Sequence, residues 1–351
     1  MVDMTSAGAS QESQAPQASR PPRVSLVLGS GGARGYAHIG VITELRERGY
    51  DIVGISGSSM GALVGGLQAA GHLDEFAEWA KSLTQGAVLR LLDPSFTSAG
   101  VLRAGKILDV VRDMLGDIDI EGLPVPYTAV ATDLIAGRSV WLQRGPVDTA
   151  IRASIAIPGL IAPHVVDGRL LADGGILDPL PMAPLSAVNA DLTVAVSLNG
   201  GDPAAAGPAA EDSERGAPAG RLNRMLRSTS ALLDTSGVRS LLDRPTARAV
   251  LDRFSSGEPE RYGPDEDEAE AEESASGVPG VPKLGSFEVM NRTIDIAQAA
   301  LARHQLASHP PDLLIEVPRT ACRSLDFHRA AELIDVGREL AGRALDSMKS
   351  I

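Results

Sequence analysis

The tightest constraint on this chain is five residues long: Gly57-Ser58-Ser59-Met60-Gly61, a G-x-S-x-G pattern. It lies between an apolar run, Asp51-Ile52-Val53-Gly54-Ile55-Ser56, and a small-residue stretch over 62–70 that predicts a helix. A strand, a sharp turn and a helix form the setting that makes this pattern a nucleophile elbow, with a serine hydroxyl raised over a sheet edge. The flanking glycines permit a strained turn that a Cβ would obstruct. The helix that starts there aims free N–H groups and the positive end of its dipole at the serine. The competing reading is a Gly/Ser helix N-cap without chemistry.

A second strand, turn and helix precede the first. Val24-Ser25-Leu26-Val27-Leu28 is an apolar run of strand length, and Gly29-Ser30-Gly31-Gly32-Ala33-Arg34-Gly35 follows it. Residues 36–48 then predict a helix with Ile39, Ile42 and Leu45 on one face and Gly49 as its stop. A dinucleotide fingerprint fails here, because counting from Gly29 puts Arg34 where the third glycine belongs, and Asp51 begins rather than ends the next strand. A phosphate-cradling P-loop fails as well, since the loop has no lysine. Consecutive glycine N–H groups at a helix start can instead converge on an acyl oxygen as it turns negative, with Arg34 supporting the loop or the anion. A plain tight turn is the alternative. The elbow one strand later favours the oxyanion hole.

A serine nucleophile needs a base. Arg169-Leu170-Leu171-Ala172-Asp173-Gly174-Gly175 reads as a short strand ending in an acid. Asp173 so placed can reach the edge where Ser59 sits, although an isolated Asp-Gly-Gly reads first as a turn.

Together these blocks resemble the patatin-like phospholipases, and most closely the bacterial members related to the catalytic domain of neuropathy target esterase. The likeness rests on Gly29 to Gly35 with Ala37-His38-Ile39-Gly40 after it, and on Gly57 to Gly61. It rests also on Ile151-Arg152-Ala153-Ser154-Ile155-Ala156-Ile157-Pro158-Gly159, and on Asp167-Gly168-Arg169 through Gly175. The resemblance implies an α/β fold, a three-layer sandwich with a mainly parallel central sheet and helices on both faces. It implies a Ser–Asp dyad without histidine: Ser59 as nucleophile, Asp173 as base, and the backbone amides around Gly31, Gly32, Ala33 and Arg34 as the oxyanion hole. The implied activity is lipid ester hydrolysis of the phospholipase A or lysophospholipase type, on lipid or lysophospholipid, with no cofactor and no metal. A non-catalytic lipid-binding or regulatory protein on the same fold is the rival. Two departures stand out: Ser30 where many relatives carry glycine, and Asp178-Pro179 where Asn often precedes the Leu-Pro segment.

The six histidines bear on the dyad. None follows the acid with a clear loop signature, and a triad in the chain order Ser, acid, His keeps only His304, His309 and His328 as candidates. A dyad carboxylate must take the serine proton directly, so Asp173 needs a partly desolvated setting that raises its basicity.

Further strands are predicted at 127–132, 139–142, 192–198 and 313–317. Helices are predicted at 73–84, 105–115, 147–155, 287–304 and 327–348. This alternation places the site at the carboxyl edge of a mostly parallel sheet. Asp133 is read as a cap on the turn after its strand. Residues 1–22, rich in Ala, Ser, Gln and Pro, are expected to be a disordered tail. The hydrolase domain is expected over 23–200 and 284–350, interrupted by an insertion over 201–283. Within it, residues 258–273 hold nine acids against one arginine, which should self-repel. Amphipathic helices are expected near 221–254. They are read as a lid packed over the acyl cleft, with contact at a membrane surface as the alternative.

A net charge of −13 argues against a nucleic-acid partner. The one cysteine, Cys322, fits a reducing compartment and so a cytoplasmic protein, with peripheral membrane contact left open. No run of about 18 apolar residues predicts a membrane span.

Overall fold

Aliphatic runs without polar alternation build strands buried on both faces. In the computed structural model they form the middle of one eight-stranded sheet. The structure describes residues 20–91, 105–158, 160–201 and 286–348. Most of the expected tail, the insertion and the amphipathic helices near 221–254 lie outside the described residues. Of the tail, Arg20 pairs with Asp191 and the Pro22 carbonyl accepts from the Asp51 N–H.

The strands are β1 (Arg23–Leu28), β2 (Asp51–Ser58), β3 (Tyr127–Asp133), β4 (Arg138–Leu142), β5 (His164–Val166), β6 (Arg169–Asp173), β7 (Leu192–Gly200) and β8 (Leu313–Pro318). They pair in the order β5-β6-β3-β2-β1-β7-β8, with β4 on β3. From β3 through β2, β1 and β7 to β8 all pairing is parallel. The patch of β4, β6 and β5 is antiparallel.

The helices are α1 (Ala37–Glu47), α2 (Met60–Ala70), α3 (Leu73–Lys81), α4 (Gln85–Leu91), α5 (Gly105–Leu115), α6 (Val147–Ser154), α7 (Ser286–Ser308) and α8 (Ala330–Met348). Side chains alternate across a strand, and here they divide two layers. Leu26 and Leu28 point into the large core with residues of α1, α2, α3, α5, α6 and α8. Val27 and Ala195 point to the other face, where Leu180, Met182, Leu185 and Ala302 of α7 cover them. Cys322 is buried in the large core. Among the described residues no helix is long and apolar enough to cross a membrane.

Two elements differ from the sequence reading. The helix expected over 73–84 ends at Lys81, and α4 then begins a new one. The expected last helix is broken near its start: Phe327–Arg329 form a 3₁₀ turn and α8 proper starts at Ala330. Periodicity counts apolar faces and does not register a change of helix axis.

What positions the site is an unusual sharing of one strand edge. Residues Ala129 and Val130 of β3 pair with both β2 and β4, while Ala131 to Asp133 pair with both β6 and β4. A strand residue has one partner on each edge, so β2 and β6 must occupy the same edge of β3, one after the other. They run in opposite directions and meet tip to tip: Ser58 lies opposite Val130, and Asp173 opposite Ala131.

Candidate active site

Ser59 caps the N-terminus of α2 at φ 55° and ψ −122°. A side chain at such an angle costs about 1–3 kcal/mol and persists only where its surroundings hold it. The Ser59 N–H donates to Ser154 Oγ at 3.0 Å, and Ser154 Oγ donates to the Val130 carbonyl at 2.6 Å. The Ser59 carbonyl accepts from the N–H groups of Ala62 and Leu63. The flanking glycines contribute something other than the expected strained angles, for neither has positive φ. A Cβ on Gly57 would stand 2.2 Å from the Gly61 carbonyl oxygen, and one on Gly61 would stand 2.1 Å from that of Leu28. The glycines supply room, and the serine itself carries the strain.

The shared edge of β3 brings the two sequence-named side chains together. Ser59 Oγ donates to Asp173 Oδ2 at 2.5 Å, and Asp173 Oδ1 accepts from the Gly175 N–H at 2.7 Å. Both residues are buried, at 2% and 3% exposure. Burial pushes the Asp173 carboxyl up to about 6, against the downward pull of its hydrogen bonds from Ser59 and Gly175. It therefore stays ionised at neutral pH while being a stronger base than an exposed aspartate.

Among the described residues no histidine hydrogen-bonds Ser59 Oγ or Asp173. His304 lies in α7, His309 just beyond it, and His328 in the turn before α8. The buried His38 binds the Gly29 carbonyl through Nε2, and burial lowers it to about 4. Asp133 caps its turn, accepting at Oδ1 from the N–H groups of Ile135 and Ala136.

In the first glycine turn, residues Gly32–Tyr36 form a 3₁₀ helix with Gly31 as its N-cap and Gly32 at φ 57°. The four-amide expectation narrows here. Ala33 N–H is already donated to the Ser324 carbonyl at 2.8 Å. A 3₁₀ turn bonds residues three apart, so the Arg34 N–H is the first to return, to Gly31. Among the described residues the N–H groups of Gly31 and Gly32 are left over, and both residues line the cleft beside Ser59 and Asp173. Arg34 supports the loop and not an anion: Nε donates to the Gly31 carbonyl at 3.2 Å, and Nη2 pairs with Asp295 at 3.1 Å. Ser30 has no positive φ and its N–H donates to the Pro179 carbonyl, which explains why serine is accepted there. Asp178 accepts from Gln305 Nε2, and burial pushes it up to about 6.

Two clefts join at Ser59, Gly32, Ile157 and Leu160. One is mixed, with Ser30, Asp173, Asp295, Gln298 and Ser324 set among Pro158, Ile176, Ile294 and Leu325. The other is apolar, walled by Tyr36, Met60, Leu63, Phe76, Trp79 and Phe327 among others. Three contributors went unassigned in the sequence: Ser154, Ser324 and Asp295. Ser154 lay inside a quoted block, so its position was visible without its role. Ser324 acts through a backbone carbonyl and Asp295 from a distant helix, and neither leaves a local pattern.

A family model described as patatin-like phospholipase matches residues 26–186. A Mycobacterium tuberculosis protein named as an uncharacterized NTE family protein is 68% identical over 341 residues, covering 94% of this chain and 93% of its own. The neuropathy target esterase of Drosophila melanogaster is 31% identical over 186 residues, which is 51% of this chain and 13% of that protein. Among solved structures, VipD from Legionella pneumophila aligns with 94% of this chain and 67% of its own, at 16% identity and a TM-score of 0.41.

Proposed function

The chain belongs to the patatin-like phospholipase family, and from that premise we propose that it is a serine lipid acyl hydrolase of the phospholipase A or lysophospholipase type. The observation that carries the reading is the 2.5 Å hydrogen bond from Ser59 Oγ to Asp173 Oδ2, at the junction of a mixed and an apolar cleft. Ser59 attacks the ester carbonyl while its proton passes to Asp173 Oδ2. The N–H groups of Gly31 and Gly32 receive the oxygen that becomes negative. As the tetrahedral intermediate collapses, the alcohol leaves with the proton from Asp173, and the acyl group stays on Ser59. Water, deprotonated by Asp173, then attacks the acyl group, and Ser59 leaves with that proton as the acid is released.

The apolar cleft suits a hydrocarbon chain, since each CH₂ moved out of water is worth about 0.8 kcal/mol. The polar side chains of the mixed cleft suit the alcohol side of the ester. The likeness of the name neuropathy target esterase to this chemistry supports the reading.

The test is a chain-length series of p-nitrophenyl esters beside lysophospholipid, with and without vesicles. Turnover should rise with acyl length, a fluorophosphonate should label Ser59, and Ser59→Ala should lose both turnover and label. A wild-type protein that neither reacts nor hydrolyses would instead be a lipid binder on this fold.

A further inference from the structure

The glycine turn does not hold its own shape. Its anchors come from the other end of the chain, and one side chain ties them together. Asp295 of α7 pairs through Oδ1 with Arg34 Nη2 at 3.1 Å. Its Oδ2 accepts from Ser324 Oγ at 3.5 Å. Arg34 in turn grips the Gly31 carbonyl through Nε, and Nη1 donates to the Arg319 carbonyl at 3.4 Å. Ser324 receives the Ala33 N–H on its carbonyl, and that carbonyl lies so near Gly32 that a Cβ there would stand 2.4 Å away. Both sides of the turn are thus fixed from Asp295.

The Gly31–Gly32 peptide is trans, so its carbonyl and its N–H point in opposite directions. Whatever fixes the Gly31 carbonyl on Arg34 also fixes the Gly32 N–H on the opposite side. The Arg34 side chain is 3% exposed and the Asp295 side chain 26%. A guanidinium so buried is costly to leave without its charge partner, so loss of Asp295 should disturb the orientation in which Arg34 holds Gly31.

We propose that Asp295 is a positioning residue for the oxyanion hole, acting through Arg34 to aim the Gly32 amide at the developing oxyanion. The proposal rests on the hydrolase reading above. Asp295 hydrogen-bonds neither the nucleophile nor the base, and although it lines the cleft both its oxygens are engaged by Arg34 and Ser324, so its loss should act chiefly on the transition state and leave the dyad alone.

Asp295→Asn should lower kcat by about 10- to 100-fold, with KM unchanged within about twofold. Asp295→Glu should recover most of the rate. Fluorophosphonate labelling of Ser59 should slow in parallel, because its phosphoryl oxygen enters the same hole. The pH inflection of kcat, set by Asp173, should not move. Should Asp295→Asn fail to fold, Arg34→Lys keeps the charge, removes the Nε donor to Gly31, and should show the same split. Wild-type kcat in the folded variants would overturn the proposal, and so would a shifted inflection, which would assign the loss to the dyad. If the wild-type enzyme itself is inert, the hydrolase reading falls and takes this one with it; an active wild type with an unimpaired Asp295→Asn removes this one alone.

Discussion

The two glycine-rich turns leave adjacent parallel strands at the same edge of the sheet, and both open helices, yet they are built on opposite plans. After β1, glycine takes the left-handed angle, Gly32 at φ 57°, and the product is bare backbone N–H. After β2 the left-handed angle falls on Ser59 at φ 55°, and the product is a side chain. There the glycines only stand aside, with Gly61 letting the elbow close against the Leu28 carbonyl. A turn that delivers amides can relax onto glycine. A turn that delivers a hydroxyl must keep a Cβ in a costly place and hold it by force.

The largest effect should separate the turns by pH. In the proposed mechanism only the elbow works with a titrating group, because Asp173 must be unprotonated to accept the serine proton. The rate should rise with pH through about 6 and then level off. Asp173→Asn should cost at least about 10³-fold in kcat. Changes in the glycine turn should lower the plateau without moving the inflection, and a moved inflection would break the division of labour. The same carboxyl makes a stability prediction. Its folded pKa lies above the ordinary 3.8, so the folded state holds the proton to higher pH than the unfolded one. Stability from this group is present below 3.8 and lost as pH rises through about 6. Asp173→Asn should therefore melt above the wild type at pH 7.5, with the gap closing towards pH 4, as calorimetry would show.

Next in size are the glycines. Gly61→Ala places a methyl against backbone that cannot move, at a cost of about 3–5 kcal/mol, read by urea unfolding. Gly32→Ala meets both an unfavourable φ and the Ser324 carbonyl. It should cost less in stability, about 2–3 kcal/mol, and lose kcat by about 100-fold. Equal stability losses would say that the two sets of glycines do the same work.

Ser154→Ala should cost about 1–3 kcal/mol, by taking the acceptor from the buried Ser59 N–H and a donor from the Val130 carbonyl, and should lower kcat as the elbow relaxes. The smallest effect is the most direct on the comparison. Both Ser59→Ala and Ser59→Gly should abolish turnover, but only glycine relieves the angle. Ser59→Gly should be more stable than Ser59→Ala by about 1 kcal/mol, the cost that the hydroxyl imposes on its own turn.

Much of this arrangement was legible in the chain. Strand, turn and helix around Ser59 follow from apolar runs and glycine punctuation, and Asp173 falls at a strand end as read. The oxyanion turn was legible only in part. Counting glycines locates it, but which amides remain free depends on Ser324 and on the 3₁₀ geometry, and neither is a property of the loop itself. Asp295 was invisible because a carboxylate on a long helix looks like any solvated one until Arg34 is placed beside it. The meeting of β2 and β6 was hidden for a similar reason: pairing partners are set by topology, which hydrophobic pattern does not encode.

That meeting has a consequence of its own. The proposed nucleophile and base arrive on strands heading towards each other, aligned by their common neighbour β3 and by the end of α6, where Ser154 holds the Ser59 N–H and the Ala156 carbonyl accepts from the Asp173 N–H. A slip of a single residue along β3 would put Ala172 or Gly174 where the carboxylate stands and turn the acid to the opposite side of the sheet. Three rungs between Ala131–Asp133 and Leu171–Asp173 therefore act as the vernier of the proposed dyad, and loosening them should silence its chemistry before it unravels the protein.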